Sequence, residues 1–201
     1  MSSSLMLDKL IKALQVQPGV GNRSATRIAY QLLGRRRADA IELGKTLIEA
    51  MQNIKQCQCC RNYADSDLCN ICANQERHNA RSLCIVESPS DVEAIEKSNN
   101  FFGLYFVLHG HLSPIDGIGA HELGLPLLDA LLATNKFDEI ILATNPTVEG
   151  DATAAFIASL AERHKVKQVS KIASGVPLGG ELDNVDHKTL ASSLMNRRPF
   201  A

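Results

Sequence analysis

The fold of this chain turns on the stretch Cys57-Gln58-Cys59-Cys60-Arg61-Asn62-Tyr63-Ala64-Asp65-Ser66-Asp67-Leu68-Cys69-Asn70-Ile71-Cys72. Two Cys-x2-Cys pairs are joined by eight residues, and each pair makes a tight turn that presents two thiolates to one ion. Four such ligands, Cys57, Cys60, Cys69 and Cys72, close a tetrahedral structural Zn²⁺ site with Zn–S bonds of about 2.3 Å and no position left for a reactive water. Cys59 is an additional thiol inside the first pair; adjacent side chains diverge, so Cys57 rather than Cys59 is the expected partner of Cys60. Cys84 lies in an apolar run and reads as a small core residue. A disulfide framework is excluded, because such scaffolds spread their cysteines through much smaller secreted chains.

The cysteines also separate two textures. Upstream, residues 5–34 read as two helices broken by Pro18-Gly19-Val20-Gly21, and Ala25, Ile28, Ala29 and Leu32 recur at the spacing that turns one helix face into a core. A third helical pattern, with Ile41, Ile48 and Met51 on one side, runs to about Lys55. Downstream, apolar runs at 83–86, 105–108 and 140–143 alternate with segments long enough for helices, the signature of a mostly parallel sheet. The tail from Ser174 carries Gly175, Pro177, Gly179 and Gly180, then a last apolar helix around Leu190 and Leu194.

A chain of 201 residues that is 45% hydrophobic and 21% charged is an ordinary globular protein, so disorder, collagen-like structure and repeat arrays are excluded. No stretch approaches the roughly 18 apolar residues of a membrane span, and Asp8 and Lys9 interrupt the N-terminal apolar patch, so the cytosol is the expected compartment. The net charge of −1 hides an asymmetry: residues 1–81 carry 12 basic and 7 acidic side chains, and the rest 9 and 15. Such a split points the N-terminal part toward a polyanion and the remainder toward a metal ion or a basic partner.

Glycines in the 18–21 turn allow a compact hairpin whose backbone N–H groups and following helix N-terminus accept a phosphate oxygen. Arg23 and Arg27, one turn apart, flank it; with Lys9, Lys12 and Arg35-Arg36-Arg37 they give the first 37 positions seven basic residues and one acid. A plain helical turn with a solvated basic face has the same composition. The element nevertheless resembles a helix-hairpin-helix, which implies that Gly19, Gly21, Arg23 and Arg27 bind DNA backbones without sequence preference. In the other half, Glu87 follows a strand and precedes the helix start Ser88-Pro89-Ser90-Asp91, so its carboxylate is expected exposed at a strand's C-terminal end, where open parallel sheets place their sites. Asn145-Pro146-Thr147-Val148-Glu149-Gly150-Asp151 follows a later strand in the same way.

That order resembles the Toprim fold of topoisomerases, primases and nucleases, whose active members use an Asp-x-Asp pair in the later loop to bind Mg²⁺ for phosphoryl transfer. Here the two Asp positions are Asn145 and Thr147, and Glu87 with Glu149 alone cannot build a two-metal centre, although weak binding of a single Mg²⁺ stays open. A dinucleotide-binding Rossmann reading fails, because Gly19-x-Gly21 lies between helices and Gly117-x-Gly119 has no third glycine in register.

The succession of glycine hairpin, four-cysteine cluster, Val86-Glu87-Ser88-Pro89, the segment from His109 to Gly119, the 145–150 loop and Gly175-Val176-Pro177-Leu178-Gly179-Gly180-Glu181-Leu182 closely resembles the RecR family of bacterial recombination mediators, over about residues 10–198. The resemblance implies a multi-domain α+β protein. Its parts are a helix-hairpin-helix DNA-binding head over 1–56, a four-cysteine zinc finger over 57–72, an α/β Toprim domain with a mostly parallel sheet over 80–175, and a C-terminal loop and helix over 176–201. It implies a DNA repair factor without catalytic residues, working with RecO, and in some contexts RecF, to load RecA onto gapped single-stranded DNA coated by single-strand-binding protein. Single-stranded, duplex or gapped DNA, a ring-like homotetramer and a bacterial cytoplasmic location, at the nucleoid when DNA-bound, follow in the same way. Glu87, Glu149 and Asp151 are assigned to docking a basic surface of RecO, since exposed like charges steer such a partner. The alternative is a Mg²⁺-dependent Toprim nuclease or primase, which the missing Asp pair disfavours. The tail motif has been likened in this family to a Walker B element, but no P-loop accompanies it and ATP turnover is not expected. Arg23 stands where relatives often carry Lys, and Asp151 where Glu is more usual.

Overall fold

A computed structural model describes residues 4–173, 175–197 and 199. Ser174 and the outer domain limits at 1 and 201 lie outside the described residues. The chain divides into two compact units between Ile54 and Lys55.

The first unit is helical. Ser4 caps α1 (Leu5–Leu14), its side chain accepting from the Leu7 amide, and Gln15 ends it. The reversal is possible because Gly19 adopts a φ of 76°, a left-handed conformation that costs glycine nothing. Helix α2 (Asn22–Arg35) then packs on α1, and its Ala25 and Ala29 are fully buried, methyl-sized side chains that let neighbouring helices approach. Arg36 breaks the helical course before α3 (Arg37–Asn53). No residue of α3 is buried, and Ile41, Ile48 and Met51, the face read from the sequence, are open to solvent.

The second unit opens with a short antiparallel ribbon, β1 (Lys55–Gln56) and β2 (Tyr63–Ala64), followed by α4 (Asn70–Ala73) and α5 (Gln75–Asn79). The remainder alternates: β3 (Ser82–Val86), α6 (Pro89–Ser98), β4 (Leu104–Val107), α7 (Leu125–Leu132), β5 (Glu139–Ala143), α8 (Val148–Arg163) and β6 (Gln168–Lys171), then a 3₁₀ turn (Leu182–Asn184) and α9 (His187–Met195). The sheet order is β4-β3-β5-β6, and every pairing is parallel. β3 and β4 are almost continuously buried, as strands covered on both faces must be, and they pack with α7 (Leu125, Leu128, Leu132) and α8 (Ala154, Ile157, Leu160) in one core. Each large apolar side chain taken wholly out of water there stabilises the fold by about 1.5–3 kcal/mol.

From β3 the chain crosses to β4 on one side and then returns to β5 on the other, so the topology switches direction between β3 and β5. Ligand sites of open α/β sheets form outside the carboxyl ends of the strands flanking such a point. The residues there are Glu87, directly after β3, and Asn145, just after β5.

Candidate functional site

Within the second unit the sulfurs of Cys57, Cys60, Cys69 and Cys72 all lie within 4.8 Å of one another, and all four residues are buried. Backbone geometry explains the convergence: the Cys57 amide donates to the Asn62 carbonyl (2.7 Å) and the Arg61 amide to the Cys57 carbonyl (2.9 Å), closing a turn that Arg61 completes with a φ of 64°. Amides aim at the sulfurs too, Cys69 N at Cys57 Sγ (3.3 Å) and Asn62 N at Cys60 Sγ (3.5 Å), the outer bonds that orient metal ligands. Contact with Cys60 pulls the Cys69 thiol far below its ordinary range, and thiolates are the form in which cysteines hold a metal. Cys59 is half-buried beside Cys72 and is not one of the four. The donor set fits a structural zinc ion. Cys84 sits apart on β3, where burial pushes its thiol up to about 12.

The finger is bolted to the sheet by residues that carry no sequence motif. Cys60 offers its carbonyl to the amide of Val107 (2.9 Å), extending the edge of β4. Arg61 lays its guanidinium over Phe106, 5.6 Å from the ring centroid, and donates to the carbonyls of Leu108 and Leu123. From α5, Arg77 grips Glu96 with both terminal nitrogens while Glu96 accepts from Tyr105 Oη at 2.6 Å. Burial pushes Glu96 upward, but these donors outweigh it and leave the carboxyl below its usual range; burial and then Glu96 push the Tyr105 hydroxyl well above its own.

In the first unit Gly21 is the N-cap of α2 and supplies no side-chain cap, so the helix-start amides keep their donor capacity. A methyl group added at Gly19 or Gly21 would meet nothing within 4 Å, so the turn faces open space. Arg23 and Arg27 are exposed, away from the buried Ala25 and Ala29.

At the sheet's switch point the expectation for Glu87 needs correction. Its carboxylate is not an exposed acid: the residue is 5% accessible, and both oxygens are engaged, Oε1 by the Asn145 amide (2.9 Å) and Oε2 by Asn145 Nδ2 (2.7 Å). His111 Nδ1 stands 3.4 Å from Oε2. Glu149 and Asp151 are exposed in the first turn of α8, with Asp151 paired to Lys171. The three acids therefore do not form one exposed cluster. Thr147, the other position where active Toprim domains carry Asp, spends its hydroxyl capping the Gly150 amide (3.0 Å). Residues that donate to Glu87 or cap a helix do not fit a Mg²⁺ centre.

Four segments of the chain match known families in succession: residues 7–51 the RecR helix-hairpin-helix, 54–74 the RecR four-cysteine zinc finger domain, 81–173 the Toprim domain and 175–198 the RecR C-terminal segment. The helix-hairpin-helix match falls on the open glycine turn, the zinc finger match on the four converging sulfurs, and the Toprim match on the parallel sheet. Among the described residues no helix is long and apolar enough to cross a membrane. With its DNA-binding type of head, its structural zinc site and its Toprim sheet in this order, the chain belongs to the RecR family and has the domain set of a DNA repair and recombination mediator.

Proposed function

We propose that this chain is a recombination mediator with no catalysis of its own, which binds DNA backbones and, with RecO and in some contexts RecF, promotes RecA loading on gapped single-stranded DNA coated by single-strand-binding protein. The observation that carries the reading is the unbroken order of the matched segments, three of them specific to the RecR family. The working parts are the head over 1–56, the finger over 57–72, the Toprim domain over 80–175 and the tail over 176–201. Its place is the bacterial cytoplasm, at the nucleoid when DNA-bound.

In this reading Gly19 and Gly21 let a phosphate approach the open N-terminus of α2 while Arg23 and Arg27 flank it, which gives salt-dependent binding of single-stranded, duplex or gapped DNA without base preference. One such site binds weakly, and a ring-like homotetramer multiplies it through avidity. Glu149 and Asp151 dock a basic surface of RecO. Lys171 offsets the charge of Asp151, which leaves Glu149 the stronger electrostatic guide, and Glu87 supports the loop from below.

The test combines purified protein, RecO, RecA and coated gapped DNA. Glu149→Lys is expected to lower RecO affinity and RecA loading, most at low salt, while zinc content, oligomer and DNA binding stay unchanged. Loading that is indifferent to both the chain and RecO defeats the mediator reading. So does Mg²⁺-dependent cleavage or synthesis by the contaminant-free protein.

A further inference from the structure

We propose that Asn145 is a positioning residue whose backbone and side-chain N–H groups meet the charge of Glu87, so that this chain fixes its switch-point loop with an amide instead of a metal. The inference does not rest on the mediator reading, and its test contains neither DNA nor a partner.

Both oxygens of Glu87 are engaged by protein donors, and His111 Nδ1 stands 3.4 Å from Oε2. A carboxylate only accepts, and at 5% accessibility its charge must be met by protein donors or a cation. Asn145 meets it at both oxygens, with the backbone amide at 2.9 Å and the side-chain amide at 2.7 Å. Its remaining backbone group is also used, because the Asn145 carbonyl accepts from the Thr147 amide at 2.8 Å. The loop is then closed from α8. A methyl group on Gly150 would collide with the Asn145 carbonyl and come within 3.0 Å of Glu87 Oε1, so only glycine lets the helix start reach the pair. Three elements that no local pattern links, the ends of β3 and β5 and the start of α8, are thereby held in one arrangement that presents Glu149 and Asp151.

Charge shows why an amide is required. Glu87 and Asn145 together carry one negative charge and a matched set of donors and acceptors. With Asp at 145 the backbone donor remains, but two carboxylates face each other at hydrogen-bond distance, an arrangement that calls for a shared proton or a cation. With Gln at 87 the Asn145 side chain can turn its Oδ1 to the new NH₂, which keeps two bonds but loses the charge that strengthened both. With Gln at 87 and Asp at 145 together, charge and bonding match again, with donor and acceptor exchanged.

The test uses the full-length, zinc-loaded chain with Mn²⁺ as probe, an oxygen-seeking stand-in for Mg²⁺. Asn145→Asp is expected to lower Tm by about 4–8 °C in chelator-free buffer, Glu87→Gln by less, and the double variant E87Q/N145D to recover most of the Asn145→Asp loss. Only Asn145→Asp should gain saturable Mn²⁺ binding, at least about tenfold tighter than wild type, with Tm rising as Mn²⁺ is added. A general structural lesion does not produce either the rescue or the metal-dependent Tm. If both single variants fail to fold, a double variant that folds carries the result. Three outcomes overturn the proposal: a double variant no more stable than the worse single one, wild-type Mn²⁺ binding that Glu87→Gln abolishes, or a folded N145D protein indifferent to Mn²⁺.

Discussion

Two loops in this chain lead into helices through glycine, and they do opposite things. The Pro18–Gly21 turn enters α2 with no side-chain cap, empty space at both glycines and exposed arginines in the first two turns. The 144–147 loop enters α8 with Thr147 capping Gly150, no room for a methyl group on that glycine, and acids in the first turn. A helix start with spare amides and cationic neighbours is ready for an outside anion. One whose amides are capped and whose glycine is pressed against Asn145 and Glu87 has already found its partners inside the chain. Glycine at a helix start therefore means nothing alone; what surrounds the missing Cβ decides whether it serves a ligand or the fold.

The largest effect expected in the second unit comes from its zinc. Cys69→Ser, or a strong chelator, should remove the single zinc ion per chain and drop Tm by more than about 10 °C, because structural zinc contributes on the order of 10 kcal/mol to small metal-organised modules. Elemental analysis with a melting curve checks this, and a zinc-free protein that melts like wild type would falsify the structural role. Next in size, the two loops can be compared by one substitution. Gly150→Ala should cost about 1–3 kcal/mol, lowering Tm by roughly 2–10 °C, because the Asn145 carbonyl and Glu87 cannot both retreat. Gly21→Ala should change Tm by about 2 °C or less, since its φ of −76° suits alanine and its surroundings are empty. Equal penalties at the two sites would erase the contrast between a filled and an open helix start.

Local patterns carry much of this architecture and stop at definite places. Cysteine spacing finds the four converging thiols, because a knuckle turn is written in consecutive residues. Three of the four parallel strands are legible as apolar runs, but β6 is not: Gln168-Val169-Ser170-Lys171 is a largely exposed edge with one apolar side chain, too little for a periodicity to register. The burial of Glu87 escapes a reading of the sequence because its partner lies 58 residues away, and strand-end position says nothing of which side chain will close over it. Arg61 and the Arg77–Glu96–Tyr105 group are invisible for the same reason, each joining segments that only the fold brings together. The open surroundings of Gly21 and the closed ones of Gly150 likewise have no signature in sequence.

Binding should respond at the open start and stay silent at the closed one. Replacing both Arg23 and Arg27 by Ala is expected to weaken binding to all DNA sequences alike and to reduce the slope of log K against log salt by about two, one for each phosphate no longer neutralised. Tm should hardly move, because both side chains are exposed. Fluorescence titrations on gapped DNA at several salt concentrations decide it: unchanged slopes would remove the phosphate-binding role from α2 and leave the open turn unexplained.

The smallest effect lies at the other end of the two strands that Glu87 and Asn145 join. There Arg81, just before β3, grips Asp138, just before β5, through Nε at 2.8 Å and Nη2 at 3.1 Å, and Lys167 approaches at 3.2 Å. β3 and β5 are thus pinned at both ends, by an exposed asparagine bonded to a buried carboxylate at one and a solvated ion pair at the other. Water screens the second, so Arg81→Ala should barely change Tm at pH 7, in contrast to the shift expected at Asn145. The ion pair still shows in titration: the Arg81 hydrogen bonds, then Lys167, hold the Asp138 carboxyl down at about 2. A carboxyl depressed in the folded state contributes stability above its unfolded value near 3.9, and that contribution fades as pH falls through the folded value, so the window is about pH 4 to 2. Carboxyl NMR should give Asp138 a pKa of about 2 that rises in the Arg81→Ala protein. An Asp138 titrating like a free aspartate would mean that the backbone bond from Asp138 N to Arg81 O, at 2.7 Å, joins the strands at that end without help from charge.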